Sequence, residues 1–242
     1  MAIDARRLRA IHRRLLAHYG GLDPPRRSDP LEELILTVLS QHTSDVNAER
    51  AYAGLRRRFA GWGDVVAARR KAVADAIRSG GLADTKAPRI QAILREIHAR
   101  EGAYDLSALR DEPDRAVREY LTSLPGVGVK TAAVVMAFSL GRAALPVDTH
   151  VHRVARRLGL VPERASAERA HARLEALAPS EIRVALHVGL IRLGREICRP
   201  GRPRCEVCPL RDVCPSAARF LEAAEARPRG GGRPAFRLAG SP

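Results

Sequence analysis

Aromatic side chains are scarce in this sequence: four Phe, four Tyr and one Trp, 4% of 242 residues. A core built around rings is therefore excluded. Ala, Leu, Val and Ile must build it instead, and at 45% hydrophobic residues the chain has enough of them. Long apolar runs are missing too. No stretch approaches the ~20 residues that cross a bilayer. The N-terminal MAIDARRLRAIHRRLL is basic and lacks the uninterrupted apolar centre of a signal peptide, so it is expected to form an amphipathic helix. Cysteine is absent before Cys198, and all four cysteines fall between Cys198 and Cys214. That excludes a scattered disulfide framework and points to a metal site in a reducing, intracellular compartment. Acidic residues are in deficit, 27 Asp and Glu against 42 Lys and Arg, for a net charge of +15. A chain this basic usually has an anionic polymer, most often nucleic acid, as its partner; the alternative is a basic surface with no specific role.

Period-two alternation over strand length is also missing, whereas helical periodicity is everywhere. Ile90, Ile93, Leu94 and Ile97 share one face, as do Leu186, Leu190, Leu193 and Ile197. Tyr52, Leu55 and Phe59 line another, and Val117, Leu121 and Leu124 a fourth. The expectation is an all-α chain with turns at Gly20-Gly21, Gly61, Gly80-Gly81, Pro125-Gly126 and Gly141. After Pro215 the composition shifts to Arg, Gly and Pro, which predicts a disordered basic tail over 216–242, either inert or in loose contact with phosphate.

One motif stands out, LPGVGVKTAAVV over 124–135. A P-loop needs Gly directly before its Lys and a strand upstream, but here Val129 precedes Lys130 and a helix comes first. A dinucleotide fingerprint fails on the same context. What fits is helix, tight turn, helix. Pro125 ends the first helix, Gly126, Val127 and Gly128 form a turn in which the glycines permit positive φ and leave amides uncovered, and the second helix begins near Val129. Such a hairpin offers amides and a helix N-terminus to a phosphate, without reading sequence. A purely structural hairpin is the alternative, but it leaves Lys130 unexplained. A lysine beside the positive end of a helix and many arginines should lose its proton more readily. A neutral amine can form a Schiff base with a masked aldehyde, which in DNA is the sugar C1′. The rival role for Lys130 is phosphate binding.

Eighteen residues on, LPVDTHVHRVARRLGL places Asp148 at an N-cap position after an extended Pro146. Asp148 either only caps or also turns its carboxylate to a cleft, to activate an amine or water and stabilise positive charge on a sugar. His150 and His152 point apart at i,i+2 on a helix, which favours surface or DNA-facing roles over a metal pair. Cys198, Cys205, Cys208 and Cys214 follow the spacing C-x6-C-x2-C-x5-C among Pro200, Pro203 and Pro209. They should enclose one metal centre, and S4 ligation suits zinc or an iron–sulfur cluster equally. Arg199, Arg202 and Arg204 lie between the first two ligands, where a metal-stapled loop would hold them against phosphates.

Taken together, LPGVGVKTA, VDTHVHRV and the cysteine spacing resemble endonuclease III, of the helix-hairpin-helix DNA glycosylase superfamily, in order and spacing from about Leu31 to Cys214. The resemblance implies a [4Fe–4S] cluster on the four cysteines, and a monomer acting on double-stranded DNA that carries a damaged base or abasic site. It also implies base flipping and removal of oxidised pyrimidines. In the family, the lysine matching Lys130 attacks C1′ with the aspartate matching Asp148 assisting, and β-elimination nicks the strand. LSQHTSDVNAE, with Gln41, His42, Thr43 and Asp45, resembles the stretch whose polar side chains fill the gap left by the flipped base. The family's usual glutamine aligns with His42, and Gln41 lies one position earlier. GGLADTKA resembles the intercalating loop, with Leu82 as apolar wedge and Lys86 among the DNA contacts. Gly80 and Ala83 depart there from bulkier residues of relatives. His150 joins the DNA-facing set.

Adenine glycosylases of the superfamily generally lack the lysine and carry an extra C-terminal domain. This sequence has Lys130 and ends soon after the cysteines. The 8-oxoguanine branch shares the lysine but lacks the cluster. Two lobes are implied. A six-helix barrel spans 29–142 with the hairpin at about 115–140. A cluster lobe spans 143–215, with the helix of 1–28 packed on it, and Lys130 faces Asp148 across the groove between the lobes. The expected activity is that of a bifunctional N-glycosylase and AP lyase of base-excision repair, in the cytoplasm and nucleoid-associated if the cell is bacterial. The rivals are a monofunctional glycosylase for adenine or another lesion, and a non-catalytic binder of damaged DNA.

Overall fold

The computed structural model describes residues 4–23 and 29–225. They form twelve α-helices joined by short turns and single 3-10 turns, with no strand among the described residues. In order these are α1 (Ala5–Tyr19), α2 (Pro30–Ser40), α3 (Asp45–Arg58), α4 (Trp62–Ala67), α5 (Arg70–Ala76) and α6 (Ala83–Glu101). Then follow α7 (Asp114–Ser123), α8 (Val129–Phe138), α9 (Thr149–Arg157), α10 (Ala167–Leu177), α11 (Arg183–Glu196) and α12 (Ala217–Glu225). None is long and apolar enough to cross a membrane.

Local chemistry sets the ends. Asp29 caps α2 by accepting from the amides of Leu31 and Glu32, with Pro30 in the first turn. Ser44 caps α3 and Ser166 caps α10 in the same way. Gly20 and Gly102 close α1 and α6 at φ 71°, the left-handed region where other residues are strained. Seven α-helices, not six, lie between 29 and 142. Extended backbone at Ala68 and Arg69 splits the run 62–76 into α4 and α5.

Two hydrophobic clusters organise the helices. The first takes Leu34, Ile35 and Val38 from α2, Ile90, Ile93 and Leu94 from α6, and Leu121 and Val135 from the hairpin. The second takes Leu8, Ile11 and Leu15 from α1, Val151 and Val154 from α9, and Leu186, Leu190 and Leu193 from α11. The chain passes from one to the other between Ala144 and Leu145, and Val188 of α11 packs against both. Helix α12 departs from the sequence expectation of a disordered tail from 216. AARFLEAAE is made of helix formers, and its Phe220 ring lies under the Arg157 guanidinium, 4.6 Å from carbon to centroid. The remainder of that expected tail, 226–242, and residues 1–3 and 24–28 lie outside the described residues.

Candidate active site

Four helices surround a cavity of about 390 Å³, each contributing residues at helical spacing, and the N-cap of α9 completes it. Glu33, Thr37 and Ser40 come from α2; Asp45, Ala48 and Glu49 from α3; Lys130, Val134 and Phe138 from α8; His187, Ile191 and Arg195 from α11. Asp148 lies on the same wall. Lys130 and Asp148 thus share one hollow, with α8 packed in the first cluster and α9 in the second.

Burial lowers the Lys130 amine below the ordinary lysine value, with Arg195 adding to the effect, while Asp148, Glu33 and Asp45 oppose it. Desolvation is therefore the leading cause. Asp148 caps α9, its Oδ1 accepting from the Val151 amide at 2.7 Å. One carboxylate oxygen is thereby fixed and the residue still lines the cavity. Asp45 sits at the mouth, where Arg195 grips both its oxygens at 2.6 and 3.2 Å.

The hairpin runs as expected from α7 through 124–128 into α8, and α8 begins with no side-chain cap. Gly126 takes φ 72°. Two details correct the sequence reading. Gly128 is at φ −92°, so it serves as a bare N-cap and not as a left-handed residue. Val127 turns inward, 5% exposed, and its amide donates to the Leu124 carbonyl, which removes it from the groups open to a phosphate.

A larger correction concerns Lys86. Its side chain is 2% exposed and Nζ donates to the carbonyls of Leu39 at 2.6 Å and Gly80 at 2.8 Å. The ammonium neutralises the carbonyl end of α2 and cannot reach DNA. The segment of the expected loop after Leu82 is already helical, α6 starting at Ala83. Leu82 itself is 57% exposed at φ 50°, an apolar side chain on a strained left-handed backbone. Gly80 has no room for anything larger, since a Cβ there would lie 2.9 Å from that of Ala51.

Gln41, His42 and Thr43 follow the end of α2. Gln41 accepts from Arg89 at 2.9 Å, whereas His42 is exposed at φ 55°. Arg89, invisible from sequence, also packs on the hairpin turn: a Cβ on Gly126 would meet its Nε at 2.6 Å. Nδ1 of His150 lies 3.2 Å from the Arg153 guanidinium, and the His152 ring reaches the Ala165 carbonyl at 2.9 Å, so the two rings face different neighbours. Arg199, Arg202 and Arg204 are exposed around one surface hollow beside α12.

Cys198, Cys205, Cys208 and Cys214 line a separate cavity, covered by Arg157, Ala217 and Phe220. Among the described residues no His, Cys, Asp or Glu group is placed to hold a single metal ion, which would need all its sulfurs about 2.3 Å from one point. Burial pushes the Cys208 thiol up to about 11 and raises those of Cys205 and Cys214, so thiolates gathered here need a positive centre between them.

His187 is the main cavity residue that sequence reasoning missed. It is 5% exposed, and its Nδ1 lies 2.8 Å from the Pro146 carbonyl. The available signal was the spacing of His187, Ile191 and Arg195 at i, i+4 and i+8, a stripe beside the apolar one on α11.

Comparison with known proteins converges on one group. Residues 35–180 match the HhH-GPD superfamily of base excision DNA repair proteins. Endonuclease III of Thermotoga maritima is 36% identical over 189 residues, covering 78% of this chain and 84% of that protein. A putative DNA glycosylase of Arabidopsis thaliana is 36% identical over 190 residues, 74% of this chain, and the match spans 64% of that relative's length. A trapped endonuclease III–DNA covalent intermediate superposes with a TM-score of 0.79 at 28% identity, covering 91% of this chain and all of that one. The chain therefore belongs to the HhH-GPD superfamily of base excision DNA repair proteins and, within it, to the endonuclease III family.

Proposed function

We propose that this base-excision glycosylase is bifunctional, removing oxidised pyrimidines from duplex DNA and then cleaving the abasic strand. The observation that carries the reading is the Lys130 amine, held below its ordinary pKa by burial in a cavity that also contains Asp148. In the first step the neutral amine attacks C1′ of a flipped nucleotide. The glycosidic bond breaks, and the base leaves with the bonding pair and takes up a proton. Opening of the sugar ring gives a Schiff base between Lys130 and C1′. Loss of a C2′ proton then expels the 3′ phosphate, and water releases the enzyme. Asp148 stabilises the positive charge that develops on the sugar and receives protons in transit.

The uncapped start of α8 and the bare Gly128 would grip the flanking phosphates. Leu82 would wedge the duplex and exposed His42 would enter the gap, with Gln41 retained by Arg89. The solved relative forms a covalent intermediate with DNA, as this chemistry requires. The four cysteines that line one hollow are the residues that would hold a [4Fe–4S] cluster. When bound, the cluster would pin the loop bearing Arg199, Arg202 and Arg204.

The test is borohydride trapping on an abasic duplex. A covalent adduct is expected from the wild type and none from Lys130→Ala. Asp148→Asn should lower turnover by several orders of magnitude while leaving α9 capped, because Asn caps as well as Asp. Base release without any trapped adduct would make the protein a monofunctional glycosylase.

A further inference from the structure

We propose that His187 is a positioning residue for the reaction, anchoring the Pro146–Asp148 segment so that the carboxylate stays opposite the Lys130 amine. The inference rests on the Schiff-base reading above and adds to it a residue from the far side of the cavity. A carbonyl oxygen can only accept, so the 2.8 Å contact with Pro146 requires the proton on Nδ1 of His187. That fixes the tautomer. Pro146 is buried and lies two residues before Asp148, whose backbone is extended at φ −90° and ψ −175°. No regular ladder holds this approach, because helix α9 starts only at Thr149. The imidazole is the tie from α11 to the strap that carries Asp148. The ring is in turn fixed by Phe138 of α8, 5.7 Å between centroids at 55°, and Phe138 lies two helical turns from Lys130 on the cavity face. His187 thus touches the element of the lysine through Phe138 and the segment of the aspartate through Pro146.

Its charge state matters as well. Burial lowers the pKa of His187, opposed by Asp148 and by the Pro146 hydrogen bond, with Lys130 and Arg195 lowering it further. Glu33 of α2 and Asp45 and Glu49 of α3 face the same cavity. Burial thus favours the neutral ring. A second cation beside Lys130 would compete for Asp148 and repel a sugar acquiring positive charge. A neutral donor holds the strap without either effect.

The experiment uses the full chain with its cysteine site loaded, and compares wild type, His187→Leu, His187→Asn and His187→Gln. Single-turnover borohydride trapping on an abasic duplex is followed from pH 5 to 9, with DNA affinity and thermal unfolding measured in parallel. Leu has no donor. Asn places an amide N–H near Nδ1, whereas Gln places it near the other ring nitrogen. His187→Leu should trap about 10–100-fold more slowly with DNA affinity little changed. His187→Asn should recover most of that rate and keep the wild-type pH midpoint, since Lys130 and not His187 sets it. Should His187→Leu fail to fold, the Asn and Gln variants decide by themselves: Asn active and Gln slow supports the anchor. Equal rates for Leu and wild type, or Asn as slow as Gln in folded protein, overturn it. Failure of the Schiff-base reading would look different, because the wild type itself would then yield no adduct.

Discussion

At the scale of single residues, the charges around Lys130 pull in opposite directions and burial decides between them. Neutral amine is the reactive form, so a pKa lowered below the lysine norm raises the reactive fraction near neutral pH. The rate of adduct trapping should climb with pH and level off above the Lys130 pKa. Glu33 stabilises the ammonium, so Glu33→Gln should move that midpoint to lower pH and speed trapping at neutrality. Arg195 destabilises the ammonium and also neutralises Asp45, which stabilises it. Arg195→Met removes the first effect and releases the second, so both changes push the midpoint up and trapping at neutrality slows. Shifts of the two variants in the same direction would refute this account of the cavity's electrostatics. Lys86 shows the converse case. A lysine in a loop-like sequence reads as a DNA contact, yet here two backbone carbonyls bury it, and no local pattern reveals which lysines have carbonyls waiting in the fold.

At the scale of elements, what the sequence revealed depended on how local the cause was. The hairpin was legible because proline, two glycines and an apolar face act within fifteen residues, and the Asp148 cap because it acts within four. His187 was not, since its partner Pro146 lies forty-one residues away. Helix α12 is not legible in the sequence because AARFLEAAE runs straight into a Gly- and Pro-rich segment, and its cover over the cysteine cavity is purely tertiary. Three substitutions test these elements. Ala at Gly126 must adopt φ 72° and press on Arg89, so Gly126→Ala should lose about 1–2 kcal/mol in urea unfolding. Ala at Gly128 meets nothing within 4 Å on an ordinary backbone, so Gly128→Ala should lose under about 1 kcal/mol. Even so it should weaken duplex binding, because a methyl group would cover the phosphate approach; unchanged affinity would remove Gly128 from the interface. Phe220→Ala opens the cover formed with Arg157. With the proposed [4Fe–4S] cluster loaded, its absorbance near the violet edge should then fade faster in air than the wild type's, and matched decay would show that α12 shields nothing.

At the scale of the molecule, a net charge of +15 and a cavity between two hydrophobic clusters set the remaining behaviour. Affinity for duplex DNA should fall linearly on a log–log plot of salt, by about 0.9 per phosphate neutralised. Replacing Arg199, Arg202 and Arg204 together by Ala should flatten that slope, and an unaltered slope would place the loop off the DNA. The same molecule must keep its two clusters in register, and Glu175 of α10 is one of the ties between them. Its carboxylate takes Arg118 of the hairpin helix in a fork at 3.0 and 3.1 Å, accepts from the Leu145 amide at 3.2 Å, and meets His171 at 3.4 Å. Burial alone would raise its pKa, but His171, Arg118 and the amide outweigh it and hold Glu175 at about 2. A depressed carboxylate stabilises the fold above the ordinary Glu range, and that contribution disappears as pH falls toward 2. Glu175→Gln should therefore cost on the order of 2 kcal/mol at neutral pH. The penalty should shrink steadily below about pH 4, as the wild-type carboxyl takes up its own proton. A penalty independent of pH would mean that Glu175 holds the two clusters together by shape and not by charge.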